Sequence, residues 1–303
     1  MTESALIAAA DHAARHWEYN LPGRFNAGDD EYMRMLSRML LDTFNPYKPA
    51  VIAWPKLDAE ARQRLVSLPI WDIAVRTEGW ARLRILSFAR RVKVEPLRAA
   101  LERMAFEENR HKEVLARLVA AYDIPLAPEP DYIEPRDAEW AFMVTGYSEC
   151  IDSFFAFGLF ELARRSGFFP PELVETFEPV IQEEGRHILF FINWITWYKR
   201  TMPLWRRPWF LLKTARVWAF LVWERIGIAR DVNGTPQDAN FTVKGSEAVA
   251  GEIDIAELLD FCLAENDRRL SGYDPRLIKP TTVPRLVRLA RRFMRRKKPL
   301  RMC

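Results

Sequence analysis

Cysteine and glycine are scarce in this chain, and each shortage excludes a class of protein. The 303 residues include three cysteines, Cys150, Cys262 and Cys303, which are far apart and odd in number. They predict neither a disulfide framework nor a cysteine-based zinc site, so a reducing cytoplasm is the expected compartment. Only twelve glycines are present, which disfavours an all-β fold rich in tight turns.

Long apolar runs are also missing. No stretch reaches the ~20 uninterrupted apolar residues that are needed to span a bilayer. The first twenty residues carry acidic side chains and no apolar run, so they are not expected to be a secretory signal. A hydrophobic content of 49% still suffices for one large core or two small domains.

Acidic residues are absent from residues 281–303, which hold nine basic side chains, whereas the rest of the chain is net acidic. A helix predicted from Pro284 onward places Leu286, Leu289 and Phe293 on one face, with arginines around them. This pattern suits anionic lipid headgroups, so the predicted partner is a membrane surface, with the protein peripheral on the inner membrane face. An RNA, an acidic protein or no partner at all are the alternatives.

The remaining chain shows helical periodicity without strand-like alternation, which predicts an all-α fold. The four longest helices are predicted at roughly 58–92, 95–122, 136–166 and 171–200. Shorter helices are expected at roughly 3–18, 29–44 and 253–270, with a loop at 229–251. The predicted segments are an N-terminal helical extension (1–60), a four-helix unit (61–200), an aromatic-rich helical cover (201–280) and a basic tail (281–303).

Glu-x-x-His occurs twice, within the pentads Glu107–His111 and Glu183–His187. A glutamate and a histidine three residues apart on a helix lie on the same face, so both can reach one metal ion. Each motif also has a carboxylate about one helical hairpin upstream, because Glu78 lies 30 residues before Glu108 and Glu149 lies 35 before Glu184. The predicted metal ligands are therefore Glu78, Glu108, His111, Glu149, Glu184 and His187.

The third helix offers a second candidate ligand. Counted from the turns of antiparallel helices, Glu78 and Glu108 lie at nearly the same height, whereas Glu149 and Glu184 differ by about one turn. Asp152 matches Glu184 better, so the ligand is Glu149, Asp152 or both. Glutamate reaches further than aspartate, which favours Glu149 and places Asp152 behind it.

The donor set fits two divalent cations. Iron(II) and manganese(II) accept carboxylate oxygen and imidazole nitrogen, and four glutamates balance the charge of two such ions. Without metal, four buried glutamates would each cost several kcal/mol or take up protons. The alternative is that both motifs lie by chance on solvated helix faces, although the chain has only four histidines.

Over residues 65–195 the chain resembles the ferritin-like di-iron carboxylate superfamily, which includes rubrerythrin, the ribonucleotide reductase small subunit, methane monooxygenase hydroxylase and demethoxyubiquinone hydroxylase. The resemblance implies a four-helix bundle, here with additional N- and C-terminal helices. It implies a cofactor of two iron ions, or manganese or a mixed pair, bridged by Glu108 and Glu184, with the other four ligands terminal. The implied activity is O₂-dependent oxidation by a hydroxylase, oxygenase or oxidase, with an external electron donor and an apolar or lipid-like substrate.

Two other functions are compatible with the same ligands. A rubrerythrin-like peroxidase is one, although the Cys-x-x-Cys pairs usual in those proteins are missing here. A non-enzymatic iron-binding helical bundle is the other.

Four further residues have predicted roles near the metals. Arg110 and Arg186 precede the two histidines, and the resemblance implies that they support the ligands by pairing with Asp152 or Glu107; ordinary salt bridges are the alternative. Ser153 follows Glu149 by four residues and is a candidate for steering protons, or a small packing residue. Tyr147 is a candidate redox-active phenol, or a core residue.

Overall fold

The computed structural model describes residues 2–24, 26, 28–46, 54–68, 70–230 and 255–294, with backbone alone for 226–230. This described part is all-helical and contains no strand, which confirms the predicted all-α class. The helices are α1 (Glu3–Arg15), α2 (Asp30–Asp42), α3 (Ala59–Ser67), α4 (Trp71–Ala89), α5 (Glu95–Ala121), α6 (Ala138–Ser166), α7 (Pro171–Glu175), α8 (Glu178–Thr201), α9 (Arg207–Arg230), α10 (Ile255–Arg269) and α11 (Thr282–Phe293). Among these described helices, none combines the length and the apolarity that crossing a membrane requires.

The helix predicted at 58–92 is wrong as a single element, because the chain breaks into α3 and α4. Asp58 caps α3 by accepting a hydrogen bond from the Ala61 amide at 2.7 Å. Leu68 then leaves the helical region, with φ −66° and ψ 121°. The residue before a proline is disfavoured in the α conformation, and Pro69 follows Leu68. The helix predicted at 171–200 is likewise divided into α7 and α8.

Four long helices surround a common interior. The short turn at 90–94 makes α4 and α5 adjacent, and Pro96 occupies the first turn of α5, where its missing amide costs nothing. Gly167 ends α6 with a left-handed φ of 65°. Helix α6 packs along α8 and also contacts α4, while α5 contacts α8. These contacts close the arrangement α4–α5–α8–α6 around the interior.

The N-terminal helices belong to the same core as the four long helices. Helix α2 packs against both α5 and α8, and its buried Met33 and Met39 join the main hydrophobic cluster. The Tyr32 hydroxyl donates a hydrogen bond to the Asn193 side chain of α8. The neighbouring Trp194 packs edge-on against Phe88 of α4, with ring centroids 5.2 Å apart. Helix α2 of the predicted extension 1–60 therefore contacts both helices that carry the motifs.

The C-terminal helices pack on α6. Helix α11 buries Val283 and Val287 against α10 and α6. Two of the predicted tail arginines pair with acidic residues of α10, Arg288 with Asp267 at 3.0 Å and Arg291 with Asp260 at 2.5 Å. Residues 295–303 of the predicted basic tail and residues 231–254, which include most of the predicted loop, lie outside the described residues.

The Asp274 carboxylate links the segment after α10 to the N-terminal segment by hydrogen bonds. Loss of its negative charge is expected to destabilise the protein. Its carboxylate accepts a hydrogen bond from the Leu21 amide at 2.9 Å and from Arg276 Nε at 2.8 Å. The hydrogen bond from Arg276 is the main reason that the pKa of Asp274 falls to about 2. We expect Asp274→Asn to lower the free energy of unfolding at pH 7 by about 1–3 kcal/mol.

The pH dependence of this loss has a defined sign. A lowered carboxyl pKa in the folded state stabilises the protein above the unfolded-state pKa, and this contribution disappears as the pH falls towards about 2. Urea unfolding of the variant and the wild type should therefore differ at pH 7 and converge towards pH 2. Asp131→Asn, at an exposed aspartate, is the matched control. An equal loss of stability at both pH values would contradict this account of Asp274.

Candidate metal centre

The six residues predicted as ligands converge in the interior between the four long helices. They form two groups, within each of which one ligand atom per residue lies within 4.8 Å of the others. The first group comprises Glu78, Glu108, His111 and Glu184, and the second comprises Glu108, Glu149 and His187. Since Glu108 belongs to both groups, the arrangement can hold two cations side by side with one shared carboxylate.

Helix geometry explains this convergence. On α5 and again on α8, the three-residue spacing places glutamate and histidine on the inward face. His111 Nδ1 lies 3.0 Å from Glu184 Oε1 and 3.7 Å from Glu78 Oε2. His187 Nδ1 lies 2.9 Å from Glu108 Oε1, and the two imidazole centroids are 5.8 Å apart. Each histidine thus presents its Nδ1 atom to the carboxylates of a neighbouring helix.

Glu149 is the third-helix residue that faces the centre. It joins Glu108 and His187 in the second group. Asp152 accepts hydrogen bonds from the Ser148 hydroxyl at 2.9 Å and from Arg225 of α9 at 3.1 Å. Of the two alternatives on α6, the structure therefore brings Glu149, and not Asp152, among the ligands. Counting residues from the turn failed because α7 lies between α6 and α8.

The outer nitrogen of His187 is held by the other motif. His187 Nε2 donates a hydrogen bond to Glu107 Oε2 at 2.8 Å, and Arg186 donates to the second oxygen of the same carboxylate at 2.6 Å. Burial by itself raises the pKa of Glu107, but Arg186 and His187 outweigh burial and lower it. Glu107 is therefore an ionised acceptor that fixes the orientation of the His187 ring.

The mirror-image contacts hold His111. His111 Nε2 donates to Glu183 Oε2 at 2.8 Å, and Arg110 donates to the other oxygen of Glu183. The predicted pairing with Glu107 thus occurs for Arg186 and, at 3.6 Å, also for Arg110, which lies nearer to Glu183. Asp152 pairs with a different arginine. Glu107 of the first motif accepts from His187 of the second, and Glu183 of the second motif accepts from His111 of the first. These reciprocal hydrogen bonds link α5 to α8.

These partners leave lone pairs directed at the centre. In a neutral imidazole whose Nε2 carries the ring proton and donates it to a carboxylate, as metal binding requires, Nδ1 is an unprotonated acceptor. Both Nδ1 atoms, Glu108 Oε1 and both carboxylate oxygens of Glu149 are buried and have no hydrogen-bond partner within the described part of the chain. Orphaned buried acceptors facing one another are costly. A cation between them would satisfy all of them, so the donor set fits metal binding.

The crowding of buried carboxylates also shifts the pKa values of several residues in the centre. Burial and the neighbouring Glu184 raise the pKa of Glu108 well above its ordinary value. Burial and Glu108 do the same to Glu149. Burial alone would lower the pKa of His111, but its contacts with Glu183 and other glutamates outweigh burial and raise that pKa. In the metal-free protein, Glu108, Glu149 and His111 therefore bind protons more tightly than usual. Metal ions bound at the centre would replace those protons.

The N-terminal segment contributes two contacts that the sequence did not reveal. Arg186 Nη1 donates to the Thr43 hydroxyl at 2.6 Å, and Arg110 donates to the backbone carbonyl of Asn45. Both acceptors follow α2, and nothing in their sequence marks them. Glu183 had no predicted role either, although the doubled glutamate in both pentads was an available signal.

A cavity of about 290 Å³ adjoins the centre. One part of its wall consists of carboxylates and His111 of the first group, together with Glu149. The rest is mostly apolar and includes Leu65, Leu68, Ile70, Trp71, Ala74, Trp80, Ala81, Val114, Leu115, Ala156, Leu159, Phe160, Phe169, Leu173, Val174, Phe177, Val180 and Ile181. A small apolar molecule in this space would lie beside the candidate metal ligands.

The two predicted catalytic residues lie in different places. Ser153 is buried and lines the cavity. Tyr147 is not among the described residues that line it; its ring packs against Phe191 and Trp218, with centroids 4.9 Å and 5.0 Å away. Burial raises the pKa of Tyr147 to about 12. The structure thus places Tyr147 in the aromatic core, as the packing alternative expected.

The two residues predicted to bridge the metals occur together in the first ligand group. Glu108 belongs to both groups, whereas Glu184 belongs to the group around His111.

No known protein-family model, curated protein or solved structure matches the chain. The function of the centre is therefore inferred from its own geometry.

Proposed function

We propose that this protein is a di-iron oxidoreductase of the ferritin-like type, which uses O₂ to oxidise an apolar or lipid-like small molecule. One observation carries the proposal: two buried histidines present unpartnered Nδ1 atoms to a shared glutamate, beside an apolar cavity. Two iron ions held by these ligands would supply the redox chemistry of O₂ activation, with electrons from an external donor.

The protein's own residues would balance the charge of the metals, orient the histidines and contact the substrate. Glu108 belongs to both groups and would place one negative charge between the two cations, while the other three glutamates would supply the rest of the balancing charge. Glu107 and Glu183 keep the Nδ1 lone pairs aimed inward by accepting from Nε2. The apolar wall would contact and orient a hydrocarbon portion of the substrate. The Ser153 hydroxyl lies in the wall and can donate or accept a proton at its Oγ atom.

Metal content and product formation test the proposal together. Protein loaded with Fe(II) without oxygen should contain two iron ions per chain, measured by elemental analysis. Exposure to ¹⁸O₂ with a reductant and a lipid or quinone extract should then yield an oxidised organic product, detected by mass spectrometry. Two outcomes would overturn the proposal: rapid peroxide reduction without any organic product, or uptake of iron far beyond two ions into a large assembly.

Filling the cavity should separate turnover from metal binding. Ala156 lines the cavity one turn from Ser153, and a phenylalanine there would occupy the space proposed for the substrate. We expect Ala156→Phe to lower product formation by about 10–100-fold, because displacement of a substrate by about 1 Å has effects of that size. Iron content should stay at two per chain. Unchanged turnover would show that the cavity does not hold the substrate.

A further inference from the structure

Helix α9 carries a continuous apolar face that the rest of the described chain leaves exposed. Trp205, in the turn before α9, is 72% exposed, and Trp209 and Trp223 on the helix are 71% and 68% exposed. With Leu212, also exposed, they follow a spacing of three, four or eleven residues, which keeps them on one side of a helix. Large side chains of this kind are expensive to leave in water as one contiguous stripe.

The orientation of this face is fixed by the opposite face of α9. Val217 and Leu221 are fully buried, and Trp218 packs against Tyr147 of α6. Lys213 forms ion pairs at 3.0 Å with Asp137 and Glu139. Rotating the helix to hide the exposed tryptophans would break these contacts, so the stripe stays outward while α9 remains packed on α6.

The charge along the same segment has a single sign. Residues 199–223 contain six basic side chains and no acidic one. Arg206 and Arg216 are exposed among the apolar residues of the outer face. Tryptophan combined with arginine is typical of helices that lie at the boundary between lipid headgroups and acyl chains, because the indole is amphipathic and the guanidinium binds phosphate.

We propose that the outer face of α9, with Trp205, docks the protein onto an anionic lipid bilayer, with the helix lying in the plane of the surface. The tryptophans would enter the headgroup boundary, and Arg206 and Arg216 would pair with lipid phosphates. A second copy of the chain fits this face less well, since a two-fold pairing of α9 with itself would bring basic residues against basic residues. The docking does not depend on the proposed reaction.

The same helix reaches the cavity. Glu224 follows Trp223 directly and lines the cavity together with Ser148 and Asp152 of α6. A bilayer bound at Trp223 would therefore lie next to one wall of the space beside the metal ligands. This continuity would give a lipid-like molecule a short route from the membrane to the centre.

Vesicle flotation with the full-length protein tests the docking. Phosphatidylcholine vesicles with and without about 30% phosphatidylglycerol supply the neutral and anionic surfaces. We expect binding to the anionic vesicles that the triple variant Trp205→Ser, Trp209→Ser, Trp223→Ser weakens about tenfold or more. The matched control is Val94→Ser with Ile133→Ser, two exposed apolar side chains elsewhere that are 43% and 74% accessible. Since all of these side chains are exposed, the variants should fold, which circular dichroism checks.

Three results would overturn the docking. The first is wild-type protein that floats with neither vesicle. The second is a triple variant that binds as tightly as the control. The third is a wild-type dimer, measured by light scattering, that becomes monomeric in the triple variant while vesicle binding is unaffected. Metal content and turnover are measured separately, so a failure of the docking leaves the proposed oxidoreductase activity standing, and the reverse also holds.

Discussion

Replacing Glu108 with alanine is expected to reduce the metal content from two ions per chain to nearly none. Glu108 is the only residue shared by the two ligand groups found in the described part of the chain, so its loss removes one ligand from each. Each group would then keep fewer ligands around its histidine, and the two imidazole centroids are only 5.8 Å apart, so two cations would lie close together without the shared negative charge. Elemental analysis after loading with Fe(II) or Mn(II) measures the effect.

The same variant should respond differently to chelators. Burial raises the pKa of Glu108, which means that its ionised form is unfavourable in the metal-free protein. Metal-free Glu108→Ala should therefore be at least as stable as metal-free wild type. Chelation should lower the melting temperature of the wild type and leave that of the variant unchanged, because metal that binds only the folded state stabilises it.

An exposed glutamate on the same helix provides the control. Glu102→Ala should retain two metal ions and the shift on chelation, since the Glu102 side chain is 54% accessible. A Glu108→Ala protein that keeps two tightly bound ions would refute the shared-carboxylate arrangement. A wild type that binds no divalent metal would refute the centre itself.

Glu107→Ala is expected to have the largest effect on stability. It would remove the nearer of the two carboxylates beside the guanidinium of Arg186, which is 0% exposed, and leave Glu183 at 3.8 Å as the other. Removing one member of a buried ion pair typically costs ~3–5 kcal/mol. The variant also deprives His187 Nε2 of its acceptor, so metal affinity should fall by roughly 10–100-fold. Urea unfolding of the metal-free protein and competition with a metal-binding dye measure the two effects.

The crosswise symmetry supplies an internal comparison. Glu183→Ala should produce similar losses, because Glu183 holds His111 and pairs with Arg110. Glu107→Gln keeps an acceptor of the same shape without the charge and should fall between wild type and Glu107→Ala. If Glu107→Ala lowered metal affinity without any loss of stability in the metal-free protein, Arg186 would have another adequate partner, and the buried-pair account would be wrong.

Much of the centre could be predicted from the sequence because its ligands obey local rules. A three-residue spacing on a helix fixes two side chains on one face whatever surrounds them. This rule alone identified both ends of each motif, Glu108 with His111 and Glu184 with His187. The end of α6 at Gly167 and the start of α5 beside Pro96 also follow from single residues.

Other features escaped the sequence because they depend on distant parts of the chain. The choice between Glu149 and Asp152 was decided by where α6 lies against α8, and by Arg225 of α9, which pairs with Asp152. The division at Pro69 did have a sequence signal, since proline restricts the residue before it. The segment 201–280 was predicted only as an aromatic-rich helical cover, and packing on α6 decided which side of α9 is buried and which tryptophans the described residues leave exposed.

By itself, the sequence determined an all-helical chain and the glutamate and histidine of each motif on one helix face, because helical periodicity is a property of neighbouring residues. Only the tertiary structure decided which glutamate holds which histidine, that Thr43 supports Arg186, and which face of α9 the described residues leave exposed. Those outcomes depend on how rigid helices pack against one another, and the partner of a side chain across a core is set by that packing and not by its position in the chain.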